Sequence, residues 1–334
     1  MAKYQSYRGR VPFKRKLAVA AMVLILLLCG SYLAVSQYVE FESGGGKNFR
    51  LPWISEELAG NSSTDREDPE ISLIINEPKD LLDEMHAVEI SAETLRLRRD
   101  EGEWWTEEGF NAVSVRLKER DGMLRYAFES APAELIHPNA ISRTELELLL
   151  NADVYTVAKI SCFSDSAAAA IDMTGKGLCQ PNGYIWYDNA NSHWLDPGKE
   201  AAREYLVALC EELVELGFDE VLLENVCYPT SGKLHKSAPV EADREKTIQK
   251  FLTDVAKTFD GDHVRLSLAL REEVLLAGGN ETAGLALQEN LKDVLRVYVQ
   301  TQDPAGAEAA LRAVAESTKL VLVGGTEGAR CTVR

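Results

Sequence analysis

Three acidic side chains stand where short apolar runs give way to polar sequence, and these carry the first chemical argument. Glu224 closes the run Glu220–Glu224 (EVLLE), Glu119 follows Asn111–Lys118 (NAVSVRLK), and Asp196 sits in Trp194-Leu195-Asp196-Pro197. A carboxyl group at the end of an apolar strand is partly desolvated, which raises its pKa and suits it to giving up a proton near neutrality. Two carboxyl groups about 5–9.5 Å apart are the minimum for acid–base cleavage of an acetal linkage, with Glu224 the acid and Glu119 the base or nucleophile. Trp186, Tyr187 and Trp194, with Tyr184, cluster among Asn182, Asn189 and Asn191 in one segment. Aromatic faces beside amides stack on sugar rings and bond hydroxyls. Lys118, Asn225 and Tyr228 flank the two glutamates and complete the candidate binding set.

Each assignment has a structural counterpart that stays open at this point. Glu119 and Asp121 lie in Glu-Arg-Asp-Gly, a typical solvated turn. Glu224 suits an ion pair with Arg or Lys from a neighbouring strand. Asp196 precedes proline and suits a helix N-cap. The aromatic group suits the packing of its own excursion, and His193 beside it suits packing better than catalysis. No Ser-His-Asp order, HExxH or Cys/His zinc spacing appears, so no cofactor or metal is expected.

Positioning these groups takes a scaffold, and the chain alternates short β-branched runs with amphipathic stretches. Strands are predicted at 86–90, 111–118, 154–161, 220–224, 263–270, 294–300 and 319–323, with a weak eighth at 329–333. Helix signals separate them. Ser142 with Glu145 is a capping box. Asp196-Pro197 and Asp303-Pro304 pair an N-cap with a proline at the first helical position. Tyr205, Leu209, Leu213 and Leu216 share one face of the helix after Asp196, and Gly217 stops it. Ile248, Phe251, Leu252, Val255 and Phe259 stripe the next helix. This alternation predicts an α/β fold, a (β/α)8 TIM-like barrel, with a doubly wound open sheet as the alternative. In a barrel, the carboxyl ends of the strands hold the site, which selects Glu119, Glu224 and Asn225. No GxGxxG or GxxxxGK[ST] follows any strand, against nucleotide-binding versions.

The front of the chain predicts where this domain works. Leu17–Val35 is apolar and uncharged, long enough to cross a hydrocarbon core of about 30 Å. Six basic residues and no acidic one precede it, which places the N-terminus inside and the rest outside. The expected organisation is a cytoplasmic tail at 1–16, a transmembrane helix at 17–38, a flexible linker at 39–70 around Gly44-Gly45-Gly46, and an extracytoplasmic barrel at 71–334. A cleaved signal peptide is the competing reading, but the apolar core exceeds the usual roughly 7–15 residues.

The 334 residues carry a formal net charge of −17, and the part beyond the basic tail is more acidic still. That argues against a nucleic-acid partner, which needs cationic contacts to phosphate, and leaves a neutral carbohydrate polymer as the expected one. Membrane contact is expected through the N-terminal helix alone. Six cysteines include one in the apolar span. Cys210 lies on an apolar helix face and is expected in the core. Cys162 and Cys179 share one inter-strand region, which leaves a bridge between them open.

Three stretches occur in order: GFNAVSVRLKERDGMLRY, ADVYTVAKISCFSD and WLDPGKEAAREYLVALCEELVELGFDEVLLENVCYP. They resemble a family of (β/α)8 barrels described as glycoside hydrolases and grouped as a domain of unknown function. Its pattern runs N-A-V-V-I-D-V-K-D-x-x-G, Y-x-I-A-R-I-V-x-F, W-x-D-P and G-F-D-E-I-Q-F-D-Y-I-R-F-P. The resemblance covers roughly residues 85–300. It aligns Lys118 with the family lysine, Glu119 with an acid, Trp194, Asp196 and Pro197 with W-x-D-P, and Glu224 with the strand-4 aspartate. It also shows departures. Arg116 replaces the acid two residues before the lysine, and Asn225 and Cys227 replace a tyrosine and an arginine. Ser267–Arg271 (SLALR) lacks the acid of S-A-D-x-F-G, and VYVQTQDP replaces P-M-x-Y-P-S-H-Y. The resemblance therefore implies either a glycoside hydrolase, which the predicted span would anchor to a membrane and direct to the outside of the cell or its wall, or a degenerate barrel that binds a glycan or a protein without turnover.

Overall fold

The computed structural model describes residues 39–41, 47–49, 79, 81–98, 101–237, 243–259, 264–324 and 331–334. The predicted span at 17–38 and most of the predicted linker lie outside them. Among the described residues no helix is long and apolar enough to cross a membrane. Val39–Phe41 pairs antiparallel with Lys47–Phe49 inside the predicted linker. These residues belong to a unit, 1–73, separate from the unit 74–334 that holds the barrel.

Eight parallel strands close into a ring: β1 (Met85–Ser91), β2 (Ala112–Lys118), β3 (Tyr155–Ser161), β4 (Glu220–Glu224), β5 (Arg265–Arg271), β6 (Arg296–Gln300), β7 (Lys319–Val323) and β8 (Cys331–Val333). Each pairs with its successor, and β8 returns to β1. The open-sheet alternative is thereby excluded. The described helices that pack outside include α1 (Arg143–Leu150), α2 (Glu200–Leu216), α3 (Arg244–Thr258) and α4 (Pro304–Val314).

The helix boundaries follow their signals with one correction. Ser142 and Glu145 form the capping box of α1, Asp303 caps α4 ahead of Pro304, and Gly217 ends α2 at φ 91°. The helix expected from Pro197 begins instead at Glu200, with Lys199 at the N-cap position and no side-chain cap. The Asp196 side chain accepts from Gly198 N at 2.9 Å, and its carbonyl accepts from Lys199 N at 3.0 Å. The aspartate thus closes a local turn, and the helix starts only after it.

Inside the ring, period-two alternation packs Met85, Ala87, Ala112, Tyr155, Val157, Leu222, Tyr298, Val321, Cys331 and Val333 against one another. A larger apolar shell lies between strands and helices and contains Cys210. Cys162 and Cys179 are free thiols, so the bridge left open between them is not formed. At the amino ends of the strands, Glu220 and Arg296 form a fully buried ion pair. Tyr155 and Tyr298 donate their hydroxyls to Glu220 at 3.0 and 2.7 Å, and Arg296 also donates to Leu82 O at 2.8 Å. Burial lowers the affinity of Arg296 for its proton, and Glu220 more than reverses this. Charge at that end of a barrel serves packing, since the site belongs at the other end.

Candidate active site

Four successive strands each carry an inward-facing charge at or within two residues of the carboxyl end, and the four charges close on one another. Glu89 comes from β1, Arg116 from β2, Lys159 from β3 and Glu224 from β4. Arg116 Nη1 donates to Glu224 Oε2 at 2.5 Å, and Nη2 donates to Glu89 Oε1 at 2.9 Å. Lys159 Nζ donates to Glu89 Oε2 at 2.6 Å and lies 3.1 Å from Glu224 Oε1. Both oxygens of both carboxylates are therefore engaged by a cation. Burial alone would push the Glu89 carboxyl up, but Lys159 and Arg116 outweigh it and hold the group below its ordinary value. Burial also opposes the charge on Arg116, and Glu224 and Glu89 outweigh it in turn.

Glu119 joins this cluster from the loop after β2. Its Oε2 lies 4.0 Å from Arg116 Nε and its Oε1 lies 3.3 Å from Arg125. One guanidinium thus meets three carboxylates, each on a different nitrogen. Glu119 and Glu224 are separated by that planar group, which keeps them under about 10 Å apart. Glu119 also begins the solvated turn read in Glu-Arg-Asp-Gly: Gly122 N donates to Glu119 O, and Met123 N to the Asp121 side chain.

The surroundings of Glu224 are not the apolar pocket expected from its strand. Leu222 and Leu223 precede it, but its head group lies between Arg116 and Lys159. The ion-pair reading is the one the structure bears out. The signal for it was strand parity: residues 89, 116, 159 and 224 all fall on inward positions near the carboxyl ends. Glu89 and Lys159 were missed because each strand was read singly.

These charges overlook a bowl of about 500 Å³ at the carboxyl ends of the strands, lined among others by Ser114, Arg120, Asn225, Arg271, Tyr298 and Gln300. Asn225 adopts φ 54°, a left-handed conformation that asparagine tolerates, and donates to Ser161 Oγ at 3.0 Å. Ser114 is buried, and its hydroxyl has no partner among the described residues. Arg120 is exposed, with no acidic partner among the described residues.

The other predicted residues divide sharply. Lys118 is fully buried and does not reach the bowl. A register shift between Arg116 and Lys118 leaves Leu117 as an extra residue on β2. That bulge turns Lys118 outward, where Nζ pairs with the fully buried Asp165 at 2.7 Å and donates to Ser161 O at 2.6 Å. Trp194 and Tyr228 are buried as well, and neither presents a stacking face. Trp194 Nε1 donates to Asp188 at 3.1 Å. The Asp196 carboxyl is raised by burial, against the Gly198 N–H and Lys199, and its role is the turn described above. Trp186 is buried, while Tyr184 and Tyr187 are exposed. Trp186 and Tyr187 line a separate groove and not the bowl. His193 packs with its Nδ1 3.1 Å from Trp186 O. Among the described residues, no group of three His, Cys, Asp or Glu is placed to hold a metal ion.

A closed parallel barrel with a polar bowl at its carboxyl end is an architecture that hosts many unrelated chemistries. Residues 85–275 match the family model described as "Putative glycosyl hydrolase domain", and the chain belongs to that family. No curated protein matches the chain. Among solved structures, the glycoside hydrolase domain of PgaB (BpsB) from Bordetella bronchiseptica is similar at 14% identity and a TM-score of 0.52, over 72% of this chain and 84% of that one. A hypothetical protein from Ruminiclostridium thermocellum shares 21% identity at a TM-score of 0.46, over 54% of this chain and 96% of that one. The GH20 exo-beta-N-acetylglucosaminidase of Vibrio harveyi shares 15% identity at 0.48, over 72% of this chain. The match spans only 41% of that enzyme's length. At these identities the Bordetella domain supports the fold and nothing finer.

Proposed function

We propose that this barrel binds a carbohydrate chain in its bowl without hydrolysing it, at the outer face of a membrane to which Leu17–Val35 anchors it. The observation that carries this reading is Arg116. It stands where the family pattern has an acid, and it bonds Glu89, Glu119 and Glu224 together. Hydrolysis by two carboxyl groups needs one to hand over a proton and the other to reach the anomeric carbon or a water. Here every oxygen of Glu89 and Glu224 already accepts from a cation. A substrate would have to break those pairs to use either group. The bowl keeps what binding needs: amides at Asn225 and Gln300, the unpartnered Ser114 hydroxyl, and cations at Arg120 and Arg271.

A hydrolase reading with Glu224 and Glu119 as the working pair has one observation in its favour, their proximity across a single guanidinium. One experiment separates the two. The full chain and its Glu224→Gln form are incubated with a panel of cell-wall and exopolysaccharide fragments, and both binding and released sugar are measured. Binding by both forms with release by neither supports the binding reading. Release by the native chain that disappears in Glu224→Gln overturns it. Anchoring is tested separately, by protease digestion of intact cells. Cleavage within 71–334 supports exposure at the outer face, and full protection refutes it.

A further inference from the structure

The loops after β3 and β4 enclose a second cavity, of about 220 Å³, that is not part of the bowl. We propose that this groove is a binding site for an acidic sugar residue, one that carries a carboxylate. The inference rests on the carbohydrate-binding reading of the barrel and names a chemical class for a different place on it.

The groove combines the three elements such a residue would meet. The exposed ring of Tyr187 offers a face, with 48% of the residue accessible. Gln180, Asn189 and Asn191 offer amides for hydroxyls. Lys233 and Lys236 offer two ammonium groups, both exposed. Neither lysine has an acidic partner among the described residues, in a chain whose net charge is −17. The single carboxylate in the lining, Asp188, is committed elsewhere. Its Oδ1 accepts from Ala190 N at 2.8 Å and Ser192 N at 3.0 Å, and its Oδ2 accepts from Trp194 Nε1 at 3.1 Å. Among the described residues the groove therefore presents two ammonium groups against one carboxylate, whose oxygens are turned to neutral donors, and this excess of positive charge lies beside an aromatic face.

Its walls are also fixed to each other. The Trp186 indole donates to Lys233 O at 3.0 Å, tying one loop to the other. Gly232, at φ 96°, packs so closely that a Cβ there would lie 2.9 Å from the Trp186 ring. A site set in place before binding loses less ordering entropy when it is filled. A cavity of this size admits about one pyranose ring.

The test titrates the full chain with a tetrasaccharide of alternating glucuronate and N-acetylglucosamine, and with chitotetraose as the neutral control. The acidic ligand is expected to bind at least ten-fold more tightly and to change Trp186 fluorescence. The Lys233→Gln/Lys236→Gln double variant should erase that preference, and Tyr187→Ala should weaken the acidic ligand as well. All three side chains are exposed, so the variants are expected to fold. Equal affinity for the two ligands, no binding of either, or an unchanged acidic affinity in the double variant overturns the proposal. Gln300→Ala alters the bowl alone. Loss of acidic-ligand binding in that variant, with the groove variants unaffected, would place the ligand in the bowl and likewise overturn the proposal. Retention there keeps the groove site standing whatever becomes of the bowl.

Discussion

Arg116 and Glu224 meet across an intervening strand, Nη1 to Oε2 at 2.5 Å, with Lys159 of that strand bonding the same carboxylate from the other side. The arginine is the hub of the bowl's charge, because its other nitrogens face Glu89 and Glu119. Removing it leaves three carboxylates together with only Lys159 and Arg125 to offset them. Arg116→Leu is expected to cost about 1–3 kcal/mol at neutral pH, below the full penalty for a broken buried pair because the groups are partly solvated. Denaturant midpoints measure it. The deficit should shrink near pH 4, where protonation relieves the repulsion. Arg116→Lys should recover only part of the loss, since an ammonium cannot face three carboxylates at once.

Glu89 sets a pH dependence whose sign is fixed. Its native pKa lies below the ordinary value of 4.5, so its contribution to stability is complete above that value. It fades as the pH falls through the lower native pKa. Glu145 behaves alike over a stated window. Its carboxyl is pulled down to about 2, chiefly by Arg96 and by the backbone N–H of Ser142. Denaturant midpoints should be level from pH 7 to about 5 and then fall. Glu89→Gln and Glu145→Gln should each lower the plateau and flatten the decline. A native chain whose stability rises on acidification would contradict both assignments.

The scaffold was legible because strands and helices announce themselves locally. Glu220–Glu224 and Lys319–Val323 match their predicted bounds, and Arg296–Gln300 begins two residues after its predicted start. β-Branched runs between capped helices suffice for that. The site was legible only in part. Glu224 and Asn225 were found because the carboxyl ends of strands are readable. The ring of charges was not found, because it depends on which residues of four strands share a height in the barrel. Lys118 was misplaced for a more local reason. A one-residue bulge reverses every side chain beyond it, and nothing in NAVSVRLK marks where it falls. For the aromatic excursion the sequence leaves stacking and packing open for the group as a whole. Folding divides it into buried Trp186 and Trp194 and exposed Tyr184 and Tyr187.

Lys118 and Asp165 are both inaccessible, and each is the other's charge partner at 2.7 Å. Lys118→Met strands a buried carboxylate and should cost about 3–5 kcal/mol. Adding Asp165→Asn removes that charge and keeps an oxygen for Ala168 N, which Asp165 now caps at 2.7 Å. The double variant should therefore recover much of the loss. The carbohydrate binding proposed for the bowl should be the same in native and double-variant chains, because the pair lies behind the strands. Loss of binding in a stably folded double variant would return Lys118 to the site.

Gly122 closes the turn from Glu119 onto that same pair. It adopts φ 94°, and a Cβ at this position would lie 1.9 Å from Asp165 Oδ1. Gly217 offers a comparison at nearly the same backbone angle, φ 91°, at the end of α2. Gly217→Ala should cost about 1 kcal/mol, the conformational penalty of a left-handed alanine. Gly122→Ala adds displacement of a buried, ion-paired carboxylate to that penalty, and should cost several times more. The excess has a specific origin that a double-mutant cycle with Asp165→Ala can isolate. If the clash is its source, Gly122→Ala in the Asp165→Ala background should cost little more than Gly217→Ala does in the native chain. Equal costs of Gly122→Ala in both backgrounds would show that the carboxylate does not lie against the turn.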